Sequence, residues 1–377
     1  MKKLLIITRW YLPAVKSGGT VRSLTALVNG LKDDFSITIL TSDRDLGATK
    51  PYENIEFDTL TKHHGTDIVY LSQLNIPSME RYIEQIEPDI IYLNSFFDIT
   101  TQLLMFLKLR SKIKSKIILA PRGELAKGAL SIKASKKKVY LFFYKLFNLS
   151  KDITFHATSP EDAMDITNKF PYNKLEIIQN PKEESTQIYT LPIKEKNILK
   201  MVFISRIAPV KNLLYALEVL EKMQIEEGLI IFDIYGPDED KNYWNACQEV
   251  IKKISSQIEV NYKGFIEPCN IGMTLSKYHL FFLPTKGENF GHAIVEAMQV
   301  GVIPLISNKT PWQDLESLGI GFSLSLENSV DFKEAIITML NMDDQSFIKS
   351  SKNLQKYIEK KLNSKKNIEE YKLFFRR

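Results

Sequence analysis

The stretch FFLPTKGENFGHAIVEAMQVGVIPLI, Phe281 to Ile306, decides the architecture. HLFFLP, from His279, is an apolar run of strand length that stops at Pro284. A polar turn with Gly287 and Gly291 follows, then a helical pattern from about Gly291 to Val300, closed by Gly301. VIPLIS, from Val302, is a second buried strand. Strand, helix and strand with short joints make a crossover unit of a parallel sheet. The first-turn N–H groups of such a helix lie outside its own hydrogen-bond ladder and form an anion-binding end. Glu288 sits on the turn, and Glu296 follows with seven residues between them.

The same rhythm runs through the rest of the chain. KLLIIT (Lys3), SITIL (Ser36), DIVYL (Asp67), DIIYLN (Asp89) and KIILAP (Lys116) are continuous apolar runs bounded by polar residues, as strands buried on both faces require. Helical segments at Thr20–Leu31 and Met79–Glu87 separate them, the latter stopped by Pro88. A proline- and charge-rich segment within Tyr172–Asn197 interrupts the alternation. It restarts with MVFIS (Met201), LIIFDIYG (Leu229) and IEVNYKG (Ile258), with helices at Asn212–Met223, Lys241–Ile254 and Asp331–Leu340. The expectation is an α/β chain of two Rossmann-like domains facing across a cleft. The first covers 1–185 and is completed by a terminal helix at about 360–377; the second covers 186–359.

The composition, 377 residues with 44% hydrophobic and 25% charged, excludes disorder and fibrous structure. Cys247 and Cys269 have no CxxC spacing, so a disulfide framework and a four-ligand zinc site are excluded. The apolar run of MKKLLIITRWYLP is broken at Thr8 and Arg9, too early for a signal peptide core, and no stretch approaches the roughly 18 apolar residues of a membrane span. A cytoplasmic protein, soluble or peripheral on the inner face of the cell membrane, is expected.

The net charge of +5 conceals an asymmetry. Lys108 to Lys151 holds thirteen Lys and Arg against one acid, Glu124, which leaves the remainder net −7. Such a block is either a solvated lysine face or a surface for an anionic partner. SIKASKKKVYLFFYKLFNL, from Ser131, joins the lysines to Val139, Leu141, Phe142, Phe143, Leu146 and Phe147. A basic, aromatic-rich helix over 131–148 fits an anionic membrane interface, and it equally fits a helix packed on its own domain with lysines reaching outward.

The two glutamates with the intervening NFG resemble the signature of the retaining glycosyltransferases of family 4, which have the GT-B fold. SRIAPVKN, Ser205 to Asn212, is similar to the segment in which that family grips the donor diphosphate, here with Arg206 and Lys211. Fixed cations suit that role, because breaking a sugar–phosphate bond leaves a nucleoside diphosphate with growing charge. KSGGT resembles the amino-terminal loop where glycines, here Gly18 and Gly19, let the backbone approach the donor phosphates. IYGPDED, with Gly236, and YKGFIEP resemble the loops flanking the donor's base; APRGELAKGAL and TPWQDL resemble elements of a bacterial surface-polysaccharide subgroup. The resemblance implies that Arg206, Lys211 and Glu288 are catalytic. It further implies that Glu288 bonds the sugar hydroxyls, Glu296 the ribose, and backbone at Phe290 and Gly291 the phosphate, with Asn289 also substrate-binding. Many relatives place a histidine where this chain has Arg122, so Arg122 is assigned to substrate, facing sugar or an acceptor phosphate.

Taken singly these residues have plainer readings: surface charges for Arg206 and Lys211, a turn for the glycine pair, a helix cap for Glu288 and a solvated helix residue for Glu296. Order and spacing lift them together. DRD, Asp43 to Asp45, mimics a metal-binding carboxylate pair but follows the second strand of the first domain, and it reads as loop. His156, in TFHATSPED, ends a strand before a helix capped by Ser159. The expected activity is retaining transfer of a sugar from a nucleotide diphosphate sugar to a saccharide or polyprenyl-diphosphate-linked saccharide, with no metal and no cofactor beyond the donor. No nucleic-acid partner is expected. A nucleotide-sugar epimerase would need an additional general base, and a non-catalytic binder of anionic polymers would leave the donor signature unexplained.

Overall fold

The computed structural model describes all residues except 15–18, 64, 132, 182–188 and 239. The chain divides into two compact units, Met1–Glu184 with Asn363–Arg377, and Ser185–Leu362. The expected junction at 185 lies outside the described residues, as does Gly18.

In chain order the first unit runs β1 (Lys3–Ile7), α1 (Gly19–Leu31), β2 (Ser36–Ser42), β3 (Leu60–His63), β4 (Thr66–Leu71), α2 (Ile76–Ile86), β5 (Ile90–Leu93), α3 (Ile99–Leu109), β6 (Lys116–Leu119), α4 (Lys127–Ser131), α5 (Ala134–Leu146), β7 (Ile153–Ala157), α6 (Pro160–Lys169) and β8 (Lys174–Ile177). Its sheet has the order β3-β4-β2-β1-β5-β6-β7-β8, parallel except for the β3–β4 pair. Both faces are covered. Leu5 and Ile7 of β1 enter one core and Leu4 and Ile6 the other, so the strand reads as an unbroken apolar run because neither face meets water.

The second unit runs β9 (Ile198–Ile204), α7 (Leu213–Glu221), β10 (Leu229–Tyr235), α8 (Lys241–Ile251), β11 (Ile258–Gly264), α9 (Ile271–Leu275), β12 (Leu280–Leu283), α10 (His292–Val300), β13 (Ile303–Ser307), β14 (Phe322–Leu324), α11 (Ser329–Asn341) and α12 (Asp344–Lys361). Its all-parallel sheet has the order β11-β10-β9-β12-β13-β14. The last helix, α13 (Ser364–Arg376), returns to the first unit and places Tyr371, Phe374 and Phe375 in the core that holds Leu4 and Ile6.

Three elements depart from the sequence reading. The segment 131–148 is not one helix: α4 and α5 are separated at Lys133, whose φ of +54° is left-handed and ends helical continuity. The short strands β3 and β14 lack the apolar run that marked the others, and β3 lies largely exposed at the sheet edge.

Each unit buries one neutral histidine. His156 is fully buried, its Nε2 bonding the Ile178 carbonyl (2.9 Å) and its Nδ1 facing the Tyr92 hydroxyl (2.8 Å); burial pushes its pKa down to about 3. His279 accepts the Lys200 amide at Nδ1 and bonds the Ile193 carbonyl from Nε2, both at 3.1 Å, and burial pushes it down to about 4. His156 is therefore a core residue. Below the ordinary histidine value near 6.5 the unfolded chain takes up protons that the folded chain refuses, so stability falls with acidification. Urea unfolding should show a loss that grows from ~0.7 kcal/mol per pH unit for each histidine at pH 6.5 toward ~1.4 near pH 5. The His279→Gln variant should show a slope lower by about half a proton at pH 6.5, rising toward one near pH 5.

Candidate active site

The second sheet changes direction between β9 and β12, where the chain builds outward on both sides. A parallel sheet opens a crevice at the carboxyl ends of the strands flanking such a point. Lys211 follows β9 and Glu288 follows β12, and the Lys211 ammonium bonds Glu288 Oε1 directly. Their side chains are only 19% and 13% exposed.

Main-chain and side-chain bonds between loops fix this pair. The Val210 carbonyl accepts the Lys286 amide (2.8 Å) and the Thr285 hydroxyl (3.0 Å). The Glu288 amide donates to the Lys309 carbonyl (3.0 Å), tying in the loop after β13. Asn212, left-handed with φ +61°, caps the start of α7 and donates from Nδ2 to the Pro284 carbonyl (3.0 Å). Asparagine tolerates that backbone region better than most residues. Glu288 thus does not cap the following helix. That position belongs to Gly291, whose φ of +76° needs glycine.

The turn before α10 is braced from behind. Trp312, buried on the loop after β13, donates its indole N–H to the Phe290 carbonyl (2.8 Å) and meets the Phe290 ring edge-on. Asn289, Phe290 and Gly291 therefore have a set backbone, and Glu296 lies within α10 beyond them. Arg206, exposed, stands just past β9 on the same loop as Lys211. Beside it Ile207, Ala208, Pro209 and Asp240 to Asn242 line an open depression.

Gly236 closes the neighbouring loop. Its amide donates to the Gly264 carbonyl (2.9 Å) and its carbonyl accepts the Tyr262 hydroxyl (2.9 Å). Its φ is +145°, and a Cβ there would stand 1.8 Å from the Ser205 carbonyl oxygen. Gly236 is thus needed for the close approach of the β9 and β10 loops, a reason independent of any ligand.

Arg206, Lys211, Gly236, Glu288, Asn289, Phe290, Gly291 and Glu296 all lie in the second unit; Gly19 and Arg122 lie in the first. Gly19 is the first residue of α1. Arg122 follows β6, where its guanidinium bonds Oδ1 of Asn94 (3.0 and 2.7 Å) and of Asn180 (2.9 Å). Sequence reasoning missed both asparagines and the bracing role of Trp312, since none has a spacing that singles it out. The DRD stretch is a loop in which Arg44 takes both Asp43 oxygens (2.7 and 2.9 Å) and Asp45 accepts the Leu46 amide (2.6 Å).

Residues 185–361 match the family model for glycosyl transferases group 1. A Klebsiella pneumoniae protein, described as an uncharacterized 41.2 kDa protein in the cps region, is 24% identical over 258 residues, 66% of this chain and 68% of its own. A sucrose-phosphate synthase from Thermosynechococcus elongatus superposes with a TM-score of 0.75 at 14% identity, covering 100% of this chain and 98% of its own. Anabaena Alr3699/HepE, solved with UDP and glucose, gives 0.72 at 16% identity, covering 100% and 99%. The matched residues make up nearly all of the second unit, so the family likeness is that unit's, and the likeness to the solved structures, which covers the whole chain, is one of fold, GT-B.

Replacing Gly236 with alanine should cost at least about 3 kcal/mol, because the new methyl group meets a backbone oxygen in a strained φ. Gly287→Ala, with nothing within 4 Å and no positive φ, should cost less than about 0.5 kcal/mol. Thermal melts of the two variants compare them directly.

Proposed function

We propose that the chain transfers a sugar, with retention of configuration, from a nucleoside diphosphate donor to a saccharide or polyprenyl-diphosphate-linked saccharide during bacterial surface-polysaccharide synthesis. The observation that carries this reading is the Lys211–Glu288 pair at the switch point of the second sheet, one loop from Arg206 and one turn from the start of α10. The relative from a cps region supports the polysaccharide setting, and the UDP-bound Anabaena neighbour supports the donor class.

In the proposed reaction the bond from the sugar's anomeric carbon to the diphosphate oxygen breaks while the acceptor oxygen attacks from the same face. The leaving phosphate takes the acceptor's proton. Charge grows on the diphosphate, and Arg206, Lys211 and the first-turn amides of α10 are its stabilisers. Lys211 is pre-aimed, because Glu288 and the loop bonds already hold it. When donor binds, its phosphate shares the ammonium and Glu288 turns an oxygen toward the sugar hydroxyls. Glu296 bonds the ribose. These fixed cations supply the charge that a metal would supply in other transferases, so no cofactor beyond the donor is needed.

A peripheral membrane setting suits a lipid-linked acceptor. α5 buries Tyr144 against Phe96 and Phe170 but leaves Val139, Phe142, Phe143, Leu146 and Phe147 exposed among its lysines. No helix among the described residues is long and apolar enough to cross a membrane. The α5 face presents the aromatic and cationic components of interfacial binding without a span.

Lys211→Ala and Arg206→Ala should each lower kcat by about a hundredfold or more with little change in melting temperature, as for a lost preorganised electrostatic contact. Near-normal turnover in both would remove the diphosphate assignment. Activity should persist in EDTA; its loss, restored by Mg²⁺ or Mn²⁺, would overturn the metal-free mechanism.

For the membrane, the protein should co-sediment with phosphatidylglycerol vesicles at low salt and release as ionic strength rises. Lys136→Glu with Lys138→Glu, or Phe142→Ser with Phe147→Ser, should abolish sedimentation. Lys137 is unsuitable for this test, since it bonds the Ala129 carbonyl (2.7 Å) and lies over the Phe97 ring.

A further inference from the structure

The first sheet has its own switch point, between β1 and β5. Asn94 follows β5, Arg122 follows the adjacent β6, and Asn180 lies just beyond β8. Arg122 has a left-handed φ of +53° and Gly123 one of +77°. An arginine held in that region carries backbone strain of the kind that collects at ligand sites.

The partners of this guanidinium set it apart. Arg44, Arg376 and Arg377 are each paired with a carboxylate, and Arg9 has Asp98 at 3.7 Å. Among the described residues Arg122 donates hydrogen bonds to the amide oxygens of two buried asparagines, Asn94 being 7% and Asn180 3% exposed, and it also interacts with the neutral Tyr92 hydroxyl. Neutral acceptors orient the fork without cancelling its charge. The carboxylate with which it interacts at longer range, Asp162, is already committed. Its oxygens accept the Gly123 and Thr158 amides (3.0 Å each) and the Thr158 hydroxyl, so they are already engaged by donors other than Arg122.

A second observation points the same way. With its oxygen occupied by Arg122, Asn94 has a buried Nδ2 that finds no acceptor among the described residues. A buried amide N–H without a partner is destabilising, and such groups in a native fold call for an explanation. A cationic fork with spare donors and an adjacent unsatisfied amide ask for one partner: a compact anion with several acceptor oxygens.

We propose that Arg122 and the Asn94 amide form a phosphate seat in the first unit, and that the phosphate it takes belongs to the acceptor. The second half rests on the proposed function, which assigns the donor diphosphate to Arg206 and Lys211. The donor's diphosphate has the same chemistry, so the experiment must separate the two sources. The seat selects acceptors carrying a phosphate or diphosphate close to the saccharide, as in a lipid-diphosphate-linked sugar, over neutral glycans.

Calorimetry with the full-length chain tests this. UDP and GDP are first titrated, and the protein saturated with whichever binds is then titrated with inorganic pyrophosphate. The wild type should bind pyrophosphate in the presence of nucleotide. Arg122→Gln, and Asn94→Asp, which sets a carboxylate against the fork, should each weaken it at least about tenfold, the scale of a lost charged hydrogen bond. Nucleotide affinity should stay within about twofold in both. Absence of pyrophosphate binding to the nucleotide-saturated wild type, or equal binding by the variants, overturns the seat. A parallel tenfold loss of nucleotide affinity shows that the seat serves the donor and overturns the acceptor assignment. If neither nucleotide binds the wild type, the proposed function fails on its own. The seat is then judged by titrating pyrophosphate into Lys211→Ala, with and without Arg122→Gln, where the same tenfold difference is required. Melting curves accompany each variant. Arg122→Lys, which keeps the charge and loses the fork, decides the outcome by the same titration if the other variants unfold, with a weakening of at least about threefold expected and equal binding overturning the seat.

Discussion

Parallel pairing constrains everything else in this protein. Strands that run the same way must be joined by crossovers, so the loops that leave their carboxyl ends gather along one edge of the sheet. In each unit that edge carries the candidate chemistry: Lys211 and Glu288 after β9 and β12, Asn94 and Arg122 after β5 and β6. The sheets themselves are largely apolar on both faces, and buried polar strand residues such as His156 and Asp233 are bonded within their own unit. The sheets set where loops start, and the loops then fix one another through bonds such as Val210 to Lys286 and Glu288 to Lys309.

This division explains what the sequence disclosed. Strands buried on both faces cannot alternate, so KLLII, LFFL and IPLIS stand out as unbroken apolar runs, and the fold was legible from them. The signature turn was legible because its glycines and glutamates are close in sequence. Contacts between distant residues were not. Arg122 meets Asn94 across 28 positions and Asn180 across 58, and an asparagine after a strand has no pattern that names its partner. The break between α4 and α5 was also hidden, because Lys133 is an ordinary helix residue by propensity and only its left-handed backbone ends the run.

The two cationic centres show different solutions to holding a charge before its ligand arrives. Lys211 is paired with Glu288, so a ligand phosphate must share or displace an existing bond. That arrangement keeps the flexible lysine stem in one place, at the expense of some attraction for the incoming anion. Arg122 is held by amide oxygens, which restrain its planar fork and leave its charge available. A point charge on a long stem benefits from an ionic partner to fix it, whereas a guanidinium is fixed by geometry and can be aimed by neutral groups alone.

The exposed aromatic face of α5 follows from what the helix has already buried. Tyr140, Leu141 and Tyr144 pack against Phe96 and Phe97, which fills the domain-facing side. Phe143 then meets Phe142 edge-on at 5.5 Å and stacks on Phe147 at 6.2 Å outside the core, where the three rings satisfy no packing need of the unit. Polar residues at those positions would leave the fold's buried contacts unchanged, so stability does not account for the aromatics. The membrane setting proposed above accounts for them: a second solvent, less polar than water, would take up the aromatic rings, and the lysines beside them are complementary to an anionic surface.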